Sequence, residues 1–246
     1  MVYIALGISI YYLYARRKEF QAKAEPVIHA EQPVFSADEC HFHILVPVAN
    51  EKTVGQLMNF AVDLASTKTA DITVLNVIQV PPQLPPSEGR KYLSGARDLL
   101  AKAIAVAEEK NIPVYSLVKL THNVPKAIIE TCEDRKINLM TLGWEGEQPV
   151  HNRVFGTKLD EIILNTVCDI ALVCRAPSAD EKIRRILIPV SSIRYAALSL
   201  QVAEAFLGDK PTPIVLFHGT TTDDVENIKK HYREELAKIK NGIKPE

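Results

Sequence analysis

Residues 137–165 have the sequence INLMTLGWEGEQPVHNRVFGTKLDEIILN. Its start, 137–142, is an apolar run typical of a buried strand, and 159–166 has the spacing of an amphipathic helix. Three glycines separate them in the order G-x2-G-x9-G-T, at Gly143, Gly146 and Gly156-Thr157. Such a connection can hold an anion, because glycines let backbone N–H groups approach it and the helix start adds unpaired N–H groups. The stretch therefore predicts a phosphate-binding loop; the alternative is an ordinary loop whose glycines only permit tight turns.

Strand-like and helical patterns alternate along the preceding and following sequence. Predicted strands cover 42–48, 71–78, 112–118, 137–142 and 169–174, and predicted helices cover 54–66, 92–110, 124–136 and a segment starting at 157. Strands that alternate with helices favour a parallel sheet covered on both faces. The sequence thus predicts an α/β protein.

Composition excludes several classes of protein. The chain has 246 residues, is 47% hydrophobic and 24% charged, and has a net charge of −1, so no global field draws it to nucleic acid or to an anionic surface. Its four cysteines include no C-x-x-C pair, which predicts reduced thiols and a cytoplasmic setting for the folded part. Cys40, His41 and His43 crowd together but lack a fourth ligand, so we predict no metal site.

The N-terminus differs from the rest of the chain. Residues 1–14, MVYIALGISIYYLY, are apolar with tyrosines near one end and are followed by ARRK, which resembles the last part of a transmembrane helix and its positive cytoplasmic flank. The run alone is too short to span a bilayer. We therefore expect 1–18 to be a partial transmembrane helix, 19–40 to be a linker, and the molecule to be membrane-associated with its folded part in the cytoplasm. A soluble amphipathic helix is the alternative.

The sequence also repeats itself. Residues 44–48, ILVPV, return as ILIPV at 186–190, and a helical pattern over 196–206, a strand pattern over 213–217 and a helical pattern over 223–240 follow in the same order. The order then stops at the place where a third strand would begin. We interpret 183–246 as the first half of a second copy of the unit at 41–176, and the chain as a fragment or an incomplete copy.

These motifs together resemble one known family. The glycine pattern, ILVPV and the segment 165–173, NTVCDIALV, are similar to the ATP-binding branch of the universal stress protein (UspA-like) family, with a tandem second copy. The resemblance implies a Rossmann-like, adenine nucleotide alpha hydrolase-like fold with a five-stranded parallel sheet. It implies that ATP or AMP lies across the ends of the first and fourth strands, either alone or bound together with Mg²⁺. It also implies pairing with a second unit, within the chain or as a dimer.

The resemblance assigns roles to particular residues. The loop glycines and Thr157 would hold the phosphates and the ribose, and Val77 would lie near the adenine. Independently of the resemblance, Arg153 or Lys158 beside the loop could neutralise phosphate charge, the alternative for each being a solvated surface charge. Where the family's ATP binders usually have an aspartate after the first strand, this chain has Ala49, followed by Asn50, whose amide offers hydrogen bonds but no charge. The predicted cofactor-binding residues are Ala49, Asn50, Val77, Gly143, Gly146, Arg153, Gly156 and Thr157.

The leading functional hypothesis is a nucleotide-binding regulatory module for the stress response. Because the N-terminal piece resembles the end of an amino acid permease, we expect the module to be the cytoplasmic tail of a membrane transporter. No catalytic residues are predicted, since no Ser-His-Asp or Cys-His arrangement follows from spacing and the loop lacks the Gly-Lys-Ser/Thr of a P-loop. A slow ATPase and a pairing module without nucleotide remain as alternatives.

Overall fold

The computed structural model describes residues 27–31, 40–144, 157–174, 184–189, 199–200, 202–203, 213–217 and positions 230, 233–234 and 237. The strands are β1 (Val27–Glu31), β2 (Phe42–Pro47), β3 (Ala70–Gln79), β4 (Val114–Thr121), β5 (Leu139–Gly143), β6 (Asp169–Val173), β7 (Ile186–Pro189) and β8 (Ile214–Phe217). The helices are α1 (Glu51–Ser66), α2 (Leu93–Glu108), α3 (Val124–Asp134) and α4 (Thr157–Asn165), and a 3-10 helix, Pro86–Tyr92, precedes α2.

Six strands form one sheet in the order β1-β4-β3-β2-β5-β6. The five strands from β2 to β6 are parallel, which confirms the predicted five-stranded parallel sheet. The chain runs outward from β2 through β3 to β4, then returns to the other side of β2 for β5 and β6. The order therefore reverses between β2 and β5, and a crevice at the carboxyl ends of these strands is the expected ligand position in such a sheet.

The strand β1 was not predicted, because it lies inside the segment that the sequence indicates as a linker. It pairs antiparallel with β4 at the edge of the sheet. Pro26 and Pro33 stand on either side of it. Prolines beside a short strand are typical of a sheet edge, and they also remove the sequence signal for a strand.

Each face of the sheet is covered by a pair of helices. Alternate residues of the strands point to opposite faces. Ile44 and Val46 pack in a core with residues of α1 and α2, whereas Leu45 packs with residues of α3 and α4. The continuous apolar runs in the sequence thus reflect burial of both faces.

Asparagines define where two of the helices begin. The Asn50 side chain accepts a hydrogen bond from the Lys52 backbone N–H at the start of α1, and Asn123 accepts one from the Lys126 N–H at the start of α3. Both residues have extended backbone conformations, as N-caps do. Both helices therefore begin at the carboxyl edge of the sheet.

The second unit is described at fewer positions. The strands β7 and β8 pair in parallel, from Ile186 with Ile214 to Pro189 with Phe217. The corresponding strands of the first unit, β2 and β3, also pair in parallel. That residues 183–246 are half of a second domain stays a prediction. Residues 1–18 lie outside the described residues, and no described helix is long and apolar enough to cross a membrane.

Candidate functional site

A cavity of about 370 Å³ opens at the carboxyl edge of the sheet, where the strand order reverses. Its volume is in the range of small-molecule pockets. The segments that follow β2 and β5 form two of its walls, and the first turns of α3 and α4 form others. The lining residues are Pro47, Val48, Ala49, Asn50, Thr53, Leu57, Leu75, Val77, Val124, Ile128, Leu142, Gly143, Trp144, Lys158, Leu159 and Ile162.

Buried hydrogen bonds fix the segment after β2. The Val48 backbone N–H donates to the Leu75 carbonyl at 2.8 Å, and the Asn76 side-chain amide donates to the Val48 carbonyl at 2.8 Å. Asn76 is 7% exposed, so this bond is shielded from water. Immediately afterwards Asn50 caps α1 through its Oδ1 atom. Because Oδ1 accepts the capping hydrogen bond, the Nδ2 amide group of Asn50 is the part left to contact a ligand.

The segment after β5 forms the opposite wall. Gly143 is the last residue of β5 and pairs with Val173 of β6, and the Trp144 backbone N–H donates to the Val173 carbonyl at 2.9 Å. A Cβ atom at Gly143 would lie 3.4 Å from Leu57 Cδ1, which is ordinary van der Waals contact. None of the described residues therefore excludes an alanine at this position.

Lys158 brings positive charge to the mouth of the cavity. It lies in the first turn of α4, and its Nζ atom donates to Gln79 Oε1 at 3.0 Å, which connects α4 with the end of β3. It is the one charged side chain among the described lining residues. Lys158 and the N–H groups at the start of α4 together favour an anionic group at this side of the cavity.

The inner part of the cavity is apolar. Leu75, Leu142 and Ile162 are buried members of the core between the sheet and helices α3 and α4, and each also lines the cavity. Val77, which is half-buried, lies further along β3 towards the opening. An apolar inner wall with a cation at the mouth suits a ligand that has a flat ring at one end and negative charge at the other.

The structure brings together four of the residues predicted from the sequence. Ala49, Asn50, Val77 and Gly143 all line the cavity, and Thr157 is the first residue of α4. Gly146, Arg153 and Gly156 lie outside the described residues. That these residues hold a nucleotide stays a prediction.

Sequence reasoning missed the role of Asn76. A single asparagine in an apolar strand gives no signal that its amide supports the wall of a cavity. Val124 was also missed as a lining residue, although Pro125 beside it correctly indicated a helix start.

A second polar group lies at the opposite edge of the sheet. His43 Nδ1 is hydrogen bonded to Asp71 Oδ2 at 2.9 Å, at the starts of β2 and β3. Burial raises the pKa of the Asp71 carboxyl above its ordinary 3.8, while His43 and Arg135 act in the opposite direction. No described group of three His, Cys, Asp or Glu side chains is arranged to hold a metal ion.

Comparison with known proteins agrees with this architecture. The model of the universal stress protein family matches residues 42–173. A universal stress protein from Archaeoglobus fulgidus DSM 4304 has a similar structure, with a TM-score of 0.61 and 14% identity over 85% of this chain and 76% of that one. No match was found among curated proteins.

Two smaller structures are similar over about half of the chain. UspA from Lactobacillus plantarum is 19% identical over 55% of this chain and 99% of its own, with a TM-score of 0.45. An Archaeoglobus fulgidus universal stress protein, solved in complex with dAMP, is 13% identical over 54% of this chain and 97% of its own, with a TM-score of 0.43.

The matched segment is the one that forms β2 to β6 and contributes every described residue of the cavity. It makes up more than half of the sequence. The chain therefore belongs to the universal stress protein family.

Proposed function

We propose that the cavity binds an adenine nucleotide, AMP or ATP, and that the domain is a nucleotide-responsive regulatory module. The observation that carries this proposal is the position and character of the cavity. It lies where the strand order reverses, its inner wall is apolar, and its mouth has Lys158 beside the first turn of α4.

The two ends of a nucleotide match the two ends of the cavity. An adenine ring would pack against the apolar side chains near Val77 and Leu142, because a flat ring loses unfavourable contact with water there. The phosphates would lie at the start of α4, where backbone N–H groups and Lys158 offer positive charge. The dAMP found in the Archaeoglobus fulgidus protein belongs to that protein, and its chemical class agrees with this proposal.

Ala49 sets an upper limit on affinity. It lies exposed on the cavity wall, where a carboxylate would accept hydrogen bonds from ribose hydroxyls or the base. Asn50 can replace these bonds only in part, because its Oδ1 atom already caps α1. We therefore propose weaker binding than an aspartate at this position would give.

Binding rather than hydrolysis is the proposed activity. Phosphoryl transfer requires an oriented nucleophile and positioned metal ions. The described lining residues include no carboxylate or histidine that would orient a water molecule. Any Mg²⁺ would therefore arrive with ATP, held by the phosphates.

A second candidate function is pairing with another universal stress protein unit, in a dimer or within one chain. It is favoured by β6, an edge strand of the sheet, and by two exposed apolar side chains close to it in the sequence, Leu164 (81% exposed) and Val167 (75% exposed). Exposed apolar side chains next to a strand at the edge of the described sheet suit a protein interface. Nucleotide binding would control this pairing only if the paired and unpaired states differ in affinity for the ligand.

We also propose that residues 1–18 tether the module to a membrane transporter of the amino acid permease type. The support is the apolar run followed by Arg16, Arg17 and Lys18. Fractionation of cells that express the full gene would test it. Recovery of the protein in carbonate-washed membranes is expected, and recovery in the soluble fraction alone would contradict the tether.

Calorimetric titration of the purified chain with AMP, ATP and adenosine tests nucleotide binding. Val77→Trp should abolish binding by filling the cavity, whereas Val77→Ala should retain it. Lys158→Gln should weaken ATP binding about 3- to 10-fold and leave adenosine unchanged, since an exposed charged contact contributes on the order of 1 kcal/mol.

The charge-matched control is Lys110→Gln, which removes an exposed lysine after α2 at the opposite edge of the sheet. It should leave all three affinities unchanged. Equal binding by the wild type and Val77→Trp, or no heat with any of the ligands, would refute the proposal.

A further inference from the structure

Two cysteines that are distant in sequence lie side by side at the far end of the helices from the cavity. Cys132 is in the last turn of α3, and Cys168 is in the turn between α4 and β6. Their Sγ atoms are 3.8 Å apart, and the residues are 36 positions apart in the chain. A disulfide requires about 2.05 Å between the sulfur atoms, so closure needs an approach of only about 1.8 Å.

We propose that Cys132 and Cys168 are a redox modification site, which closes to an intramolecular disulfide on reaction with a two-electron oxidant of the peroxide class. The oxidation of this pair requires no bound nucleotide. Both cysteines are free in the structure, and in a reducing compartment disulfides are usually transient and redox-sensing.

The surroundings of the two sulfur atoms assign them different roles. Cys132 is 1% exposed, whereas Cys168 is half-buried and lies beside the exposed Val167. The two thiols are hydrogen bonded to each other, and this bond lowers the pKa of Cys168. Backbone N–H groups of Cys168 and Met140 act in the same direction, against burial and the charge of Asp169. The same bond and burial raise the pKa of Cys132. Cys168 is therefore the attacking thiolate and Cys132 the resolving thiol.

The reaction balances with hydrogen peroxide as the oxidant. The Cys168 thiolate attacks one peroxide oxygen, an S–O bond forms as the O–O bond breaks, and the departing hydroxide takes up a proton to become water. The Cys168 sulfur is now a neutral sulfenic acid, so the negative charge that opposed ionisation of Cys132 is gone. Cys132 then loses its proton and attacks that sulfur, forming the S–S bond and releasing a second water.

The bond would join the end of α3 to the turn that follows α4. These two helices begin at the cavity and pack on the same face of the sheet. A cross-link between residues 36 positions apart restricts the unfolded chain. The oxidised protein should therefore have an unfolding equilibrium constant roughly 10²- to 10³-fold smaller than the reduced protein.

Intact-mass spectrometry after peroxide treatment tests the proposal. The starting protein is the full chain with Cys40→Ser and Cys174→Ser, which leaves only the proposed pair. We expect a loss of about 2 Da and one cross-linked peptide pair that contains Cys132 and Cys168. A gain of oxygen mass at Cys168 without a cross-link, or no reaction while a small-molecule thiol is oxidised, would overturn the proposal.

Two further variants in this background separate the roles. Cys132→Ala should leave Cys168 without a resolving thiol, so the mass should rise by about 16 or 32 Da as sulfenic and sulfinic acids form. Cys168→Ser should show no mass change under the same exposure, because Cys132 is buried. Equal reactivity of the two variants would contradict the assignment of roles. Should either variant fail to fold, peptide mapping of the starting protein alone decides whether the disulfide forms.

Discussion

The hydrogen bond from Asn76 to Val48 predicts a joint loss of stability and ligand binding in Asn76→Ala. The Asn76 Nδ2 atom lies 2.8 Å from the Val48 carbonyl oxygen, and the asparagine is almost fully buried. Removing the donor leaves a buried carbonyl without this partner, which costs about 1–3 kcal/mol. The unfolding equilibrium constant should therefore rise by roughly 5- to 150-fold.

The same change should loosen a wall of the cavity. Val48 and Ala49 both line it, and the Asn76 amide holds the carbonyl between them. We expect weaker nucleotide binding at a temperature where the variant is still folded, measured by calorimetry beside urea unfolding followed by circular dichroism.

The matched control is Asn165→Ala. Its Nδ2 atom donates to the Glu161 carbonyl at the same distance, 2.8 Å, but at an exposed site at the end of α4. Water can replace the donor at an exposed site, so the free energy of unfolding should fall by no more than about 0.5 kcal/mol. Equal losses of stability in Asn76→Ala and Asn165→Ala would show that burial does not strengthen the contribution of the Asn76 bond.

Three other predictions follow from single positions. Gly89→Ala should lower the free energy of unfolding in urea by about 1–3 kcal/mol, because its Cβ would lie 2.8 Å from Val80 Cγ2. Gly55→Ala in α1, where a Cβ would have nothing within 4 Å, should raise it by about 0.5–1 kcal/mol. The reverse order of stabilities would be inconsistent with the packing. Burial raises the pKa of Asp71, so the native state keeps the carboxyl proton to a higher pH than the unfolded state, and the stability that this group contributes falls as the pH rises above 3.8. The urea midpoint of Asp71→Asn should lack this fall. Parallel curves of midpoint against pH for the wild type and Asp71→Asn would contradict the prediction. Ala49→Asp should tighten AMP binding about 10-fold or more in calorimetry, because it introduces a carboxylate on the cavity wall that can accept hydrogen bonds from the ribose. An unchanged affinity would show that the ribose does not lie beside residue 49.

Periodicity and burial were sufficient to predict the parallel sheet. The strands β2 to β5 are largely buried on both faces, which produces continuous apolar runs such as residues 44–48, and the helices between the strands have amphipathic spacing. The edge strand β1 left no such run. Its pairing with β4 uses backbone hydrogen bonds, which residue types encode only weakly.

The candidate site was predictable where it depends on the ends of strands. Ala49 and Gly143 follow or end neighbouring parallel strands, so their meeting at one edge follows from topology. The contribution of Asn76 and the closeness of Cys132 and Cys168 were not predictable, because both depend on contacts across 28 and 36 positions of the chain. Such contacts have no spacing rule that a single sequence reveals.

Amide NMR spectra of the isotope-labelled chain, recorded during titration with AMP, report directly whether the cavity binds a nucleotide. We expect chemical-shift changes concentrated at the residues after β2 and β5 and at the start of α4, including Ala49, Gly143 and Lys158. The amide resonances of residues near His43 and Asp71, at the opposite edge of the sheet, should keep their chemical shifts. Unchanged spectra at millimolar AMP, or shifts confined to that opposite edge, would contradict nucleotide binding in the cavity.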